Sequence, residues 1–179
     1  MKKLLALVFV IALMSTAAMA QGAELFGGYQ YTRFEGGLNM NGWNGALEFK
    51  TSEHLGFVAD FSGAYKSESV DVPLVGTIEA STKVHTFMFG PQVSGEVGSI
   101  RPFARALFGG ARLSADASVG GVGGGGGETG FAWALGGGLD LKVAPAVRLR
   151  VAQFDYLMTR FGDDTQNNVR YSAGIVFHF

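Results

Sequence analysis

The side chains able to do chemistry in this sequence are few, and they sit in a pattern. Glu48, Asp60, Arg105, Asp140, Arg148, Arg150 and Arg170 each lie in a stretch where apolar and polar residues alternate, and each takes the polar parity. Hydrolysis by a nucleophile would need a Ser, a His base and an acidic orienter within hydrogen-bond reach. The histidines are His54, His85 and His178. His54 falls in a predicted turn. His178 shares a parity with Ser172, but three inward steps separate them, roughly 20 Å along an extended strand. There is no Cys, which excludes thiolate catalysis and a disulfide framework, and no ligand pair has the spacing of a metal site. The run GGVGGGGG (residues 120–127) lacks the Lys-Ser/Thr of a phosphate-binding loop and no helical pattern follows it; it reads as a flexible loop. No catalytic, cofactor-binding or metal-binding residue is expected.

What positions the charges is a period of two. Side chains of a strand point alternately to opposite faces. In residues 169–179, Val169, Tyr171, Ala173, Ile175, Phe177 and Phe179 form one apolar face, against Arg170, Ser172, Gly174, Val176 and His178. Seven further segments alternate in the same way: residues 24–32, 43–50, 55–65, 84–94, 102–111, 131–142 and a stretch starting at 147. In the last, parity blurs after Ala152, where Gln153, Phe154, Asp155 and Tyr156 suggest a bulge. Across these strand cores the apolar parity carries no charge, while Lys50 and Lys142 join the seven residues above on the other.

The N-terminus addresses the compartment. Lys2 and Lys3 precede an apolar run over residues 4–14, and Ala18-Met19-Ala20 offers a small-x-small cleavage site, the three parts of a secretory signal. The run is too short to span a bilayer as a helix. Cleavage after Ala20 would give one domain over residues 21–179 that begins at Gln21, with no Cys there to carry a lipid. The formal charge of −1 becomes −3 once Lys2 and Lys3 are removed, which argues against a nucleic-acid partner. With 28 Gly against 4 Pro, the chain reads as all-β.

Alternation alone also suits a soluble carrier of the lipocalin kind. Three features favour a membrane barrel. The polar parity is rich in Gly and Ala, as a narrow interior requires. Aromatics such as Tyr29, Tyr31, Trp43, Tyr65, Phe131, Trp133, Tyr171, Phe177 and Phe179 gather towards strand ends, where rings favour the lipid–water interface. Tight connections (51–54, 95–100, 143–145) alternate with longer polar or glycine-rich ones (34–41, 66–81, 114–129, 158–167), the asymmetry of periplasmic turns and outside loops. In hydrocarbon every backbone polar group needs a partner, so eight strands must close on themselves. The expected fold is an eight-stranded antiparallel up-and-down transmembrane β-barrel after a cleaved signal peptide, with both mature termini periplasmic.

The segments ELFGGYQYTRF (24–34), FMFGPQV (87–93), RPFARALFGG (101–110) and WALGGGLDLKV (133–143), with the aromatic last strand, resemble small bacterial outer-membrane β-barrels of the outer-membrane protein A-like and porin-like type. The resemblance covers about the whole mature chain. It implies that Tyr171, Ala173, Ile175, Phe177 and Phe179 form a C-terminal signal read by the barrel-assembly machinery. The best-known member carries a peptidoglycan-binding domain after its barrel, and that role is not carried over to a chain that stops at strand eight. His85 is followed by Thr86 and Phe87, a departure from the His-x-Ser arrangement of lipid A deacylase barrels. The expected role is structural or surface-interacting, in a monomer surrounded by outer-membrane lipids and lipopolysaccharide. Glu48, Asp60, Arg105, Asp140, Arg148, Arg150 and Arg170 would be a charge network that plugs the lumen, because buried charges are tolerated only when paired. The alternatives are a low-conductance porin-like channel tuned by those charges and, further off, a lipid-modifying enzyme. An extracellular partner would bind at loops 66–81 and 114–129, since loops vary while the barrel is fixed.

Overall fold

The computed structural model describes residues 22–72, 76–119 and 122–179. The expected signal peptide (1–20), Gln21, residues 73–75, Gly120 and Gly121 lie outside the described residues. Eight strands follow one another: β1 (Ala23–Arg33), β2 (Asn39–Lys50), β3 (Leu55–Val72), β4 (Gly76–Ser94), β5 (Ile100–Val119), β6 (Val122–Ala144), β7 (Val147–Phe161) and β8 (Asp164–His178). Each pairs antiparallel with its chain neighbour, and β8 returns to β1, closing the barrel. The two described ends meet where the Phe179 N–H donates to the Ala23 carbonyl at 3.0 Å.

The register fixes the shape. Traced across neighbours from Thr32, it runs through Arg170, Asp155, Gly136, Arg105, Gln92, Gly56 and Lys50 to Gly22, ten residues below its start. That stagger over eight strands corresponds to a strand tilt of about 40°. Outward side chains then form a band. On β3, Leu55, Phe57, Phe61 and Tyr65 face out, and the ten residues they span rise roughly 25 Å at that tilt. Phe57, Phe108 and Leu135 are each half exposed or more (50%, 53% and 52%). A greasy surface continuing round the whole barrel has hydrocarbon as its solvent. By register and tilt, all five Tyr and both Trp fall in the half of this band opposite the termini. Phe49, Phe57 and Phe177 lie at the other end.

Three expectations change. Residues 66–81 and 114–129 are predominantly strand and not loop: β3, β4, β5 and β6 continue past the lipid band and pair with one another almost to their tips. The glycine run shares in this, Gly124, Gly125, Gly126 and Gly127 pairing with Ala117, Asp116, Ala115 and Ser114. Apolar alternation stops where lipid stops, but backbone pairing does not, and pairing holds a polar or glycine strand in place without any apolar face. The 158–167 connection is a tight turn, carried by Gly162 at φ +55°, a backbone conformation that favours glycine. The bulge in β7 is present: pairing to β8 shifts between Arg150 and Gln153. Val151 and Ala152 both turn outward there, so Gln153 and Asp155 point into the lumen. Lys142 pairs with the inward Arg148 and shares its parity, but it is exposed, because it stands near the end of β6 where the lumen opens.

Candidate functional site

The lumen holds the chemistry. Its side chains come from the inward parity of every strand, and they stack in alternating charged and apolar layers. The layer nearest the termini is built on Glu24 of β1 and Glu48 of β2. Glu24 accepts from Arg101, from Arg148 at 2.6 Å and from Lys50 at 2.8 Å. Glu48 accepts from Arg101 at 3.1 Å and from Gln92 at 2.7 Å, and Arg101 also donates to the Ser94 hydroxyl at 2.7 Å. Arg148 reaches outward as well, to the half-exposed Glu96 at 2.6 Å.

Above this layer, Arg150 lies between two rings, 4.4 Å from the Phe26 centroid and 4.2 Å from that of Phe103, a stacking suited to a desolvated guanidinium. The same guanidinium holds Asp140 in a two-point grip at 2.7 and 3.0 Å. Phe26, Ala46, Val58 and Val176 pack around it and leave a cavity of about 10 Å³, room for one water at most.

The middle layer is a closed square. Asp155 accepts from Arg105 at 3.0 and 2.8 Å, from Arg170 at 2.9 Å and from Gln153 at 2.9 Å. Asp60 accepts from Arg170 at 2.8 Å and from Asn44 at 3.0 Å, with Arg105 Nη1 at 3.1 Å. The four side chains at its corners are wholly sheltered from solvent. Gln153 links the layers, accepting from Arg150 at 2.8 Å while it donates to Asp155. Farther from the termini, Met88, Leu107 and Leu157 fill the lumen. Phe34, Met40, Ala64 and Val84 then close it beneath the long hairpins, with Leu38 and Leu113 packed on them.

All seven charges expected in the lumen are buried there, but the set was incomplete. Glu24, Arg101 and Asp155 belong to it, so five carboxylates face five arginines in place of the basic excess the sequence suggested. Glu24 and Arg101 sit at or beyond the ends of apolar alternation, and Asp155 lies past the bulge that reverses parity. Each still alternates with an apolar neighbour, and that signal was there to be used. The inward parity also carries large apolar side chains, Phe26, Phe103, Leu107 and Leu157 among them.

The histidines stay apart. His54 is exposed in the turn between β2 and β3. His85 faces outward, its Nε2 3.1 Å from the Tyr65 hydroxyl, which also accepts from the Trp43 indole at 3.1 Å. His178 has its Nδ1 3.4 Å from Glu24. Among the described residues, no three acidic or histidine side chains gather as metal ligands. The C-terminal set Tyr171, Ala173, Ile175, Phe177 and Phe179 lies on the outward parity at the seam with β1, where Tyr171, Ala173, Ile175 and Phe177 pair with Tyr31, Tyr29, Gly27 and Leu25.

No family model and no curated sequence matches this chain. Solved structures do. Ail, the attachment invasion locus protein of Yersinia pestis, in complex with the heparin analogue sucrose octasulfate, has a TM-score of 0.68 at 18% identity, over 89% of this chain and 99% of that one. A second Ail structure gives 0.65 at 16% identity, over 89% and 99%. Neisserial surface protein A gives 0.57 at 13%, over 88% of this chain and 96% of that one. Likeness at such low identity is a likeness of backbone. The chain has the fold of the eight-stranded outer-membrane barrels.

Proposed function

We propose that this chain is exported by its signal peptide (1–20) and that residues 21–179 reside in the outer membrane as a monomeric, shut barrel with both termini in the periplasm. Its role is structural or surface-interacting and not catalytic. The observation that carries the reading is the filled lumen: five carboxylates against five arginines, a residual cavity of about 10 Å³ and an apolar closure at the far end. A pore needs a continuous wet path, and each layer here interrupts one.

The outer face supports the location. Arg33, Lys83, Arg112 and Arg160 are exposed and outward at one level, just beyond the Tyr and Trp residues. There they would meet lipid and lipopolysaccharide phosphates. Tyr171, Ala173, Ile175, Phe177 and Phe179, at the open seam before closure, form the strand we assign to recognition by the barrel-assembly machinery. The paired hairpins of β3–β4 and β5–β6 stand above the lipid as one continuous sheet, which carries an open hollow of about 650 Å³ lined by Glu68, Glu79, Asp116 and several Ser. This is where an extracellular partner would dock. Glu68 is paired with Lys66 at 2.8 Å and Asp116 with Lys83 at 3.5 Å, so much of the acidic charge is balanced and the partner we propose is a neutral, hydrogen-bonding one.

Planar-bilayer recording tests the reading. The purified barrel is expected to give no steady openings. Discrete openings that change when Asp60 or Arg105 is neutralised would overturn it in favour of a low-conductance channel.

A further inference from the structure

Two breaks in the backbone ladder lie within the lipid-facing band, and they are finished differently. At the β7 bulge, the Val151 carbonyl that loses its strand partner accepts from the Tyr171 hydroxyl at 3.1 Å. The second break is at Pro91 in β4. Pairing to β5 is continuous on both sides, with Phe89 opposite Phe108 and Gln92 opposite Arg105, but it lapses at Gly90 and Pro91. Proline has no N–H to give, and Pro sits poorly in a strand with neighbours on both sides. The group left without its donor is the Ala106 carbonyl, which the register places opposite Pro91.

No N–H or O–H nearby replaces that donor; the oxygen rests only against the Cα of Gly90, so close that an added Cβ would overlap it, a weak contact. The outer face around the break is a notch of about 340 Å³ lined by Pro91, Val93, Ala104, Ala106, Leu135 and Gly136, none with a polar hydrogen on its side chain. Arg105, also at the notch, turns its guanidinium inward to Asp155 and Asp60. Large side chains (Phe89, Phe108, Leu139) stand proud around it. A backbone carbonyl without an N–H partner in hydrocarbon is costly, and the residues beside it on the lipid face are mostly small (Pro91, Ala104, Ala106, Gly136). By tilt and rise Ala106 lies roughly 15 Å above Ile100, near mid-membrane.

The geometry points to a binding site for an acyl chain that carries a hydroxyl part-way along its length. The methylenes fill the notch between Ala104, Ala106 and Leu135, and the hydroxyl donates to the Ala106 carbonyl. This inference rests on the membrane reading above. Incorporation of the barrel into lipid nanodiscs reports on that reading independently of any ligand preference.

The test compares 12-hydroxystearate with stearate on the barrel in phosphatidylcholine nanodiscs, with binding read by competition against a brominated fatty acid that quenches Trp133. The wild-type barrel is expected to bind the hydroxylated chain about 3- to 10-fold more tightly, the range one net hydrogen bond supplies. Pro91→Ala restores the N–H and is expected to bring the affinities for the two fatty acids together. Ala106→Leu fills the notch and is expected to weaken both. If Pro91→Ala does not fold, isotope-edited infrared spectra of the wild-type Ala106 carbonyl decide the matter. Its band is expected to shift to lower frequency on adding 12-hydroxystearate and to stay put with stearate. Equal affinity of the wild type for the two fatty acids, an unmoved carbonyl band, or a second copy of the chain occupying the notch in cross-linking would each overturn the proposal.

Discussion

The two charged layers of the lumen use the same residue types and differ in what surrounds them. In the middle layer, Asp60, Asp155, Arg105 and Arg170 have no solvent contact, and each carboxylate is shared by two arginines. In the layer nearer the termini, Glu24 gathers Arg101, Arg148 and Lys50, and the cluster runs outward to Glu96, whose side chain is 58% exposed. The difference teaches how much of an ion pair's apparent strength comes from the absence of water. A sealed charge that loses its partner has nowhere to turn, whereas one near the mouth recruits solvent.

Substitutions graded along the lumen would break or sharpen that contrast. Asp155→Ala leaves Arg105 and Arg170 to share Asp60 alone, one buried carboxylate for two guanidiniums, and is expected to cost about 3–5 kcal/mol, measured by urea unfolding in lipid vesicles with the heat-modifiable gel shift as readout. If Arg105→Leu is added to Asp155→Leu, much of the loss should return, because the unpaired charge goes with its partner; losses that simply add would mean the two residues act independently. Arg148→Gln in the outer layer leaves Glu24 with Arg101 and Lys50, so a smaller loss of about 1–2 kcal/mol is expected by the same assay. Smallest is Glu96→Gln, under about 1 kcal/mol, and 1 M salt should erase the effect by screening. A loss at Glu96 equal to that at Asp155 would remove the distinction between the layers.

The lipid-facing half of the molecule was legible in the sequence because one solvent, hydrocarbon, imposes one rule on every outward position. Phe57, Phe108, Leu135 and Ile175 obey it without exception. The interior obeys no single rule. Phe26 and Phe103 lie inward because they stack on Arg150, a reason that exists only once three strands are assembled. Asp155 was hidden by the bulge one turn of the pleat earlier. The strands above the membrane were hidden for a different cause: Ser114 and Gly127 pair through backbone alone, and backbone pairing leaves no mark in side-chain alternation.

The middle square draws its corners from β3, β5, β7 and β8, so only the last hairpin, β7–β8, brings a neutral pair of them (Asp155 with Arg170), while β3 and β5 each bring a lone charge. A β5–β6 hairpin entering alone would drag Arg105 into hydrocarbon with its counter-charges still outside, at a cost of several kcal/mol. Stepwise threading of hairpins is thereby penalised, and the favoured route brings late strands alongside early ones before any has fully crossed. The interior thus acts as a checkpoint on assembly, passed only when the last strand has arrived.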